Sequence, residues 1–217
     1  MIITYIVAAV LAVAGWFLIP VLEVYFTGEN TYRERTGKTK WIDLAACLVI
    51  FPGTAFFVKG LYGESWLVLG KDWILLYMLY MIAVIDFRQK IIPNGMILWL
   101  FLLRAVLLFL ECITMQNRIT ELLLSSVAGL ALAVAMFFVA RLVAKEGIGM
   151  GDVKLAGVLG FYLGMSVFIS DMILTMGFLV ITGLILLLLK KVRLRSELSF
   201  APFVFAGTLI TILLGFR

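Results

Sequence analysis

Two aspartates stand where an acidic side chain is costly to keep. Asp152 closes the stretch Gly147-Ile148-Gly149-Met150-Gly151-Asp152, followed by Val153-Lys154 and a long apolar run. Asp86 ends an earlier apolar run, in Val84-Ile85-Asp86-Phe87-Arg88-Gln89-Lys90-Ile91-Ile92-Pro93-Asn94. A helix over Val153 to Phe168 would place Ala156, Gly160 and Gly164 on the Asp152 face, a small-residue stripe that packs inward. A carboxylate on such a stripe in a membrane marks a functional site with a partner, and Asp86 is the partner the sequence offers. Two carboxylates held close cannot both ionise easily, so a pair holds one proton over a useful pH range. The ionised member can draw a proton from water, while the protonated one polarises a carbonyl and later returns a proton to a leaving amine. That chemistry needs no metal and no organic cofactor.

Around these two residues the chain supplies a water-accessible end and a flexible loop. Pro93 disfavours helix for the residue before it, so the chain turns there and leaves Asp86 near a helix end. The glycines alternating through Gly147, Gly149 and Gly151 make a loop whose backbone can approach a neighbour or an extended substrate. By itself a Gly-x-Gly-Asp string is weak, since glycines also simply start helices. Arg88 and Lys154, each two residues from an aspartate, would favour ionisation if they faced it, but the plainer reading is a pair of snorkelling anchors. Glu146 adjoins the glycine loop, where it could meet a basic peptide. The acids Glu23, Asp43, Glu64, Asp72, Glu111, Glu121, Asp171 and Glu197 fall at or near expected helix ends and are read as interfacial charges.

Composition removes other chemistries. The 217 residues contain no histidine, so a Ser-His pair, a Cys-His pair and a His-Glu-x-x-His zinc site are all absent. Cys47 and Cys112 lie in apolar segments with no Cys-x-x-Cys spacing, and read as small buried hydrophobes. The net charge of +5 comes with 64% hydrophobic residues, so the basic groups are topology signals and contacts for anionic lipid rather than a nucleic-acid surface.

The apolar runs are too long and too many for a soluble core, and the fold class expected is an all-α integral membrane bundle. About eight spans can be drawn, near 2–22, 42–58, 72–86, 94–112, 119–143, 153–169, 172–189 and 198–215. No Lys or Arg precedes the first run, which is therefore read as a span rather than a removable leader. The second, with Pro52 and Gly53, and the third, with Lys71 and Asp72 at its outer end, are the weakest, and either could be partly re-entrant. Counted by alternate sides, thirteen Lys and Arg fall on one side and five on the other, which makes the first side cytoplasmic and puts both termini outside. Asp86 and Asp152 then lie at one depth, the cytoplasmic boundary. We divide the chain into an N-terminal two-helix region, 1–69, with a short basic loop at 27–41, and a membrane core, 70–217.

Asp86 followed by Ile92-Pro93, together with Gly149-Met150-Gly151-Asp152-Val153-Lys154-Leu155, resembles the type IV prepilin peptidases, membrane aspartyl proteases of the Gly-x-Gly-Asp type. The resemblance covers about residues 70–215. It implies cleavage of a short basic leader from type IV prepilins or pseudopilins at the cytoplasmic membrane face of a bacterium, just before an apolar helix, with Asp86 and Asp152 as the catalytic pair. Long members insert a cysteine-rich zinc domain after the first helix and also N-methylate the product. Here that place holds only about Thr27 to Trp41 without cysteine, which argues against methylation by this chain. Ser199-Phe200-Ala201-Pro202-Phe203 is similar to a late Pro-Phe-x-Pro-Phe segment of the family, with Ser199 where the first proline is usual. Partners implied are the prepilin substrate and membrane lipid, with a homodimer left open. Two other classes stay in view: an ion- or proton-coupled transporter, which would be expected to hold paired aspartates near the midplane, and a non-catalytic assembly subunit.

Overall fold

The computed structural model describes residues 2–27, 37–114, 118–144, 147–189 and 198–216. These form eight helices in chain order: α1 (Ile2–Thr27), α2 (Gly37–Leu48), α3 (Trp66–Gln89), α4 (Asn94–Thr114), α5 (Ile119–Ala144), α6 (Met150–Leu163), α7 (Met165–Leu188) and α8 (Ala201–Leu213). Among the described residues six stretches are long and apolar enough to cross a membrane, namely α1, Lys40–Leu61, α3, α4, α5 and α7. The protein is an all-α polytopic membrane bundle, as expected.

The central element is α3. Of its apolar stretch 67% is buried, against 17–39% for the other long helices. Its start is set by Ser65, whose hydroxyl accepts from the Val68 amide at 3.3 Å. The expected third span, 72–86, is therefore too short, and Lys71 and Asp72 lie inside the helix. Pro52 and Gly53 do not turn the second span back. Beyond Leu48 the chain continues through two runs of wider π-helical turns, Val49–Gly53 and Phe56–Leu61, which absorb the proline without leaving the helical path.

The largest departure from the expected spans is at Gly164. Helix α6 ends at Leu163 and α7 begins at Met165, with Gly164 between them at φ +78°. Only glycine takes that conformation cheaply, so the break that 153–169 and 172–189 placed near residue 170 falls six residues earlier. Gly164 thus ends α6 while still packing with Gly160 against Gly129 of α5. With 14 and 13 residues, α6 and α8 are about 20 Å long and do not span the hydrocarbon core alone.

The rest of the stripe packs as expected, against α5. A Cβ on Gly160 would fall on the Gly129 carbonyl, and one on Gly129 on the Gly160 carbonyl, so two backbones meet where side chains are missing. At the far ends of α3 and α6 from the two aspartates, Arg104 of α4 ties the bundle together. It donates to Glu111 (2.7 Å), to Ser126 of α5 (3.2 Å) and to the Phe161 carbonyl of α6 (3.3 Å). Lys71 of α3 joins through Glu111 at 3.4 Å. Glu23, Asp43, Asp72, Glu111 and Asp171, read from the sequence as charges near helix ends, are buried among neighbouring helices. Asp171 accepts from Thr211 of α8 at 3.1 Å and Asp43 from Tyr80 at 2.5 Å. A buried carboxylate must find donors, and helix ends turned into the bundle supply fewer waters than the sequence suggests.

Gly160→Leu should wedge α5 from α6 and cost about 1–3 kcal/mol. Gly177→Leu on α7, where a Cβ meets nothing within 4 Å, should cost nothing. Unfolding midpoints of the two variants in detergent are the comparison.

Candidate active site

Each aspartate is placed by a different local device. Asp86 sits in the last turn of α3, 6% exposed. That helix ends in a left-handed cap at Lys90 (φ 53°, ψ 37°), whose amide donates to the Asp86 carbonyl at 2.9 Å. From the other side comes the start of α8. The Ala201 amide donates to Asp86 Oδ2 at 3.0 Å, with the Phe200 amide alongside, and Ser199 Oγ donates to the Asp86 carbonyl at 3.0 Å. Phe200 and Ala201 open α8, where amides have no intrahelical acceptor, and Pro202 suits that first turn because it has no N–H to leave unpaired, so a helix N-terminus is aimed at a carboxylate.

Asp152 stands at the third position of its own helix. Its Oδ2 accepts from the Gly149 amide at 3.1 Å, while its own amide returns to the Gly149 carbonyl at 3.2 Å. This is half of a capping box, and it fixes the carboxylate over the end of α6. The loop before it is held by Arg141 of α5, which donates to the Ile148 carbonyl at 2.6 Å. Gly151 lets the start of α6 approach Ile92, where a Cβ would come within 3.1 Å of the isoleucine.

The two devices converge. Asp86 and Asp152 line one cavity of about 250 Å³ with Lys90, Ile92, Gly147, Gly149, Gly151, Leu198, Ser199 and Phe200. The carboxylates are close enough to feel each other's charge. The cavity lies at the end of the bundle where α3 finishes and α6 starts, so its contents are not at the middle of any helix. No cluster of three or more His, Cys, Asp or Glu fit for a metal occurs among the described residues.

Of the other residues singled out from the sequence, Gly149 and Gly151 form the cavity wall. Lys154 does not line it: its Nζ donates to Asn94 Oδ1 at 2.8 Å and joins the two aspartate-bearing segments from outside. Arg88 also turns away, toward Glu23 of α1 at 3.9 Å, and lines a separate groove with Ile42, Asp43 and Tyr80. Glu146 lies outside the described residues. Lys90, Arg141 and the Ser199–Ala201 amides were missed as site residues. For the last a signal existed in Pro202, which announces a helix N-terminus, but nothing in the sequence says that it faces Asp86.

A family model described as the type IV leader peptidase family matches residues 73–216, a range that holds both aspartates, the glycine loop and the start of α8. The chain belongs to the type IV leader peptidase family. Among curated relatives it is similar to a prepilin leader peptidase/N-methyltransferase of Bacillus subtilis (strain 168), 28% identical over 175 residues, covering 79% of this chain and 64% of that protein. A second, from Stutzerimonas stutzeri and of the same name, is 24% identical over 160 residues, with 73% and 54% covered. The chain thus spans less than two thirds of the length of these peptidase relatives. No solved structure matches it.

Arg141→Met would remove a charge-assisted hydrogen bond worth roughly 1.5–3 kcal/mol from the loop. Amide hydrogen exchange over Ile148–Gly151 should then quicken about tenfold or more, while the middle of α3 stays protected.

Proposed function

We propose that this chain is an aspartic endopeptidase that removes the short basic leader from type IV prepilins or pseudopilins at the cytoplasmic face of a bacterial cytoplasmic membrane. The observation that carries the reading is the meeting of Asp86 and Asp152, from α3 and α6, on the wall of one cavity at one end of the bundle. Family membership and the names of the two curated relatives supply the substrate class.

In this reading the aspartate pair carries one negative charge. The ionised carboxylate takes a proton from a water molecule as its oxygen attacks the scissile carbonyl carbon. The protonated carboxyl gives its proton to the carbonyl oxygen, producing a neutral tetrahedral diol. Collapse breaks the C–N bond as the protonated carboxyl gives its proton to the leaving amine and the ionised one takes a proton from a diol hydroxyl, so the pair ends with the single charge it began with. The cavity's opening at the bundle end admits water, and the glycine loop offers backbone groups to an extended peptide.

The apolar part of the substrate has a matching surface. A groove between α5 and α7, about 350 Å³, is lined by Met136, Phe137, Met172 and Met176 and reaches Ile148 of the glycine loop. Phe137 also packs on Phe200 of the cavity wall, with ring centroids 5.4 Å apart. An apolar helix following the scissile bond would lie there, and methionines suit a surface that accepts varied helices. No methyl transfer is proposed, because the cysteine-rich segment expected for it has no counterpart in 27–41.

Purified protein in detergent should shorten a leader-bearing prepilin on a gel. Asp86→Asn and Asp152→Asn should each slow that cleavage by roughly a hundredfold to ten-thousandfold. Cleavage surviving either change, in a preparation free of other proteases, would remove the pair from the mechanism.

A further inference from the structure

Three cations flank the aspartates in the sequence, Arg88, Lys90 and Lys154, and the fold separates them sharply. Arg88 is spent on Glu23 and on a groove of its own. Lys154 is spent on Asn94. Arg141 of α5 holds the Ile148 carbonyl. Among the described residues Lys90 is the cation that lines the cavity with both carboxylates, within Coulombic reach of Asp86.

Its backbone is unusual as well. Among the described residues Lys90 is the non-glycine residue with positive φ, at 53°. That is the left-handed region, where a helix C-terminal position ordinarily holds glycine and a lysine is disfavoured. A side chain kept at such a position, in a cavity with two acids, points to use of that side chain.

Resting on the peptidase reading above, we infer that Lys90 is the third charged member of the cavity, an ammonium that sustains the single negative charge of the Asp86–Asp152 pair throughout peptide hydrolysis. The cavity needs such a group. Ile92, Leu198 and Phe200 make part of its wall apolar, and a lone carboxylate against apolar walls favours its neutral form. The α8 amides offset this from one side and Lys90 from the other. During reaction the charge passes from one carboxylate to the other and never leaves the pair, so an exposed cation at the cavity's edge serves every step without gaining or losing a proton. Lys90 acts through the aspartates and is a positioning and electrostatic residue.

The test uses the full-length protein with Cys47→Ala and Cys112→Ala, cutting a prepilin on a gel. To this background are added, singly, Lys90→Arg, Lys90→Met, Lys90→Gly and Lys90→Cys. Lys90→Met, Lys90→Gly and untreated Lys90→Cys should lose about tenfold or more in kcat with KM little changed. Lys90→Arg should keep most of the activity, and 2-bromoethylamine, which rebuilds an ammonium on the same Lys90→Cys sample, should restore it. Restoration within one folded preparation separates charge from folding. Full activity of Lys90→Met or Lys90→Gly would overturn the inference, as would failure of both Lys90→Arg and the alkylated sample to recover. A background protein that cuts no prepilin at all would instead overturn the peptidase reading itself.

Discussion

A carboxylate kept inside a lipid-facing bundle must be surrounded by donors, and that requirement arranges much of this molecule. Asp43 takes the Tyr80 hydroxyl, Asp171 the Thr211 hydroxyl, and Glu111 both Arg104 and Lys71. Apart from Arg104–Glu111, which lies within α4, each of these contacts joins two helices, because a helix uses its own backbone donors internally and must look to side chains for the rest. The acids are therefore the cross-links of the bundle. Small residues do the complementary work, as at Gly129 and Gly160, where α5 and α6 come together with nothing between their backbones.

Asp86 and Asp152 obey the same rule with a different kind of donor. Both accept from amides at helix starts, Asp86 from α8 and Asp152 from the turn that opens α6. Such amides are unpaired by construction and carry the positive end of the helix dipole. They satisfy one oxygen of each carboxylate, and both acids line the cavity. Helices thus supply the acids, while the glycine loop beside them is fastened by Arg141 at the Ile148 carbonyl. This division accounts for α6 and α8 being short. Each begins at the site and has to reach inward only far enough to lock against its neighbours.

The membrane class, the eight helical segments and the two aspartates were legible in the sequence because hydropathy and the cost of a buried charge act locally. The ends of segments were less so. Lys71 and Asp72 looked like the outer boundary of the third span, yet partners on α4 let α3 carry that charged turn inside the bundle. Gly164 looked like one more small residue on the Asp152 face and does meet α5 there, but its positive-φ backbone also ends α6. Arg88 and Lys154 stood as near to the aspartates in the chain as Lys90 does to Ile92. Only the packing of α1 and α4 shows that both are engaged elsewhere.

By itself the sequence determined which groups could react: a chain without histidine, with two acids at apolar run ends and a glycine loop before one of them, leaves carboxylates to move the protons. It determined a membrane bundle for the same reason, since each apolar run must satisfy its backbone as helix. The tertiary structure alone decided that α3 and α6 bring those acids to one cavity, that α8 aims its first amides at Asp86, and which of the nearby basic residues borders that cavity. Those outcomes depend on how helices far apart in the chain pack, and side-chain direction across such a packing is not written in the spacing of any one segment.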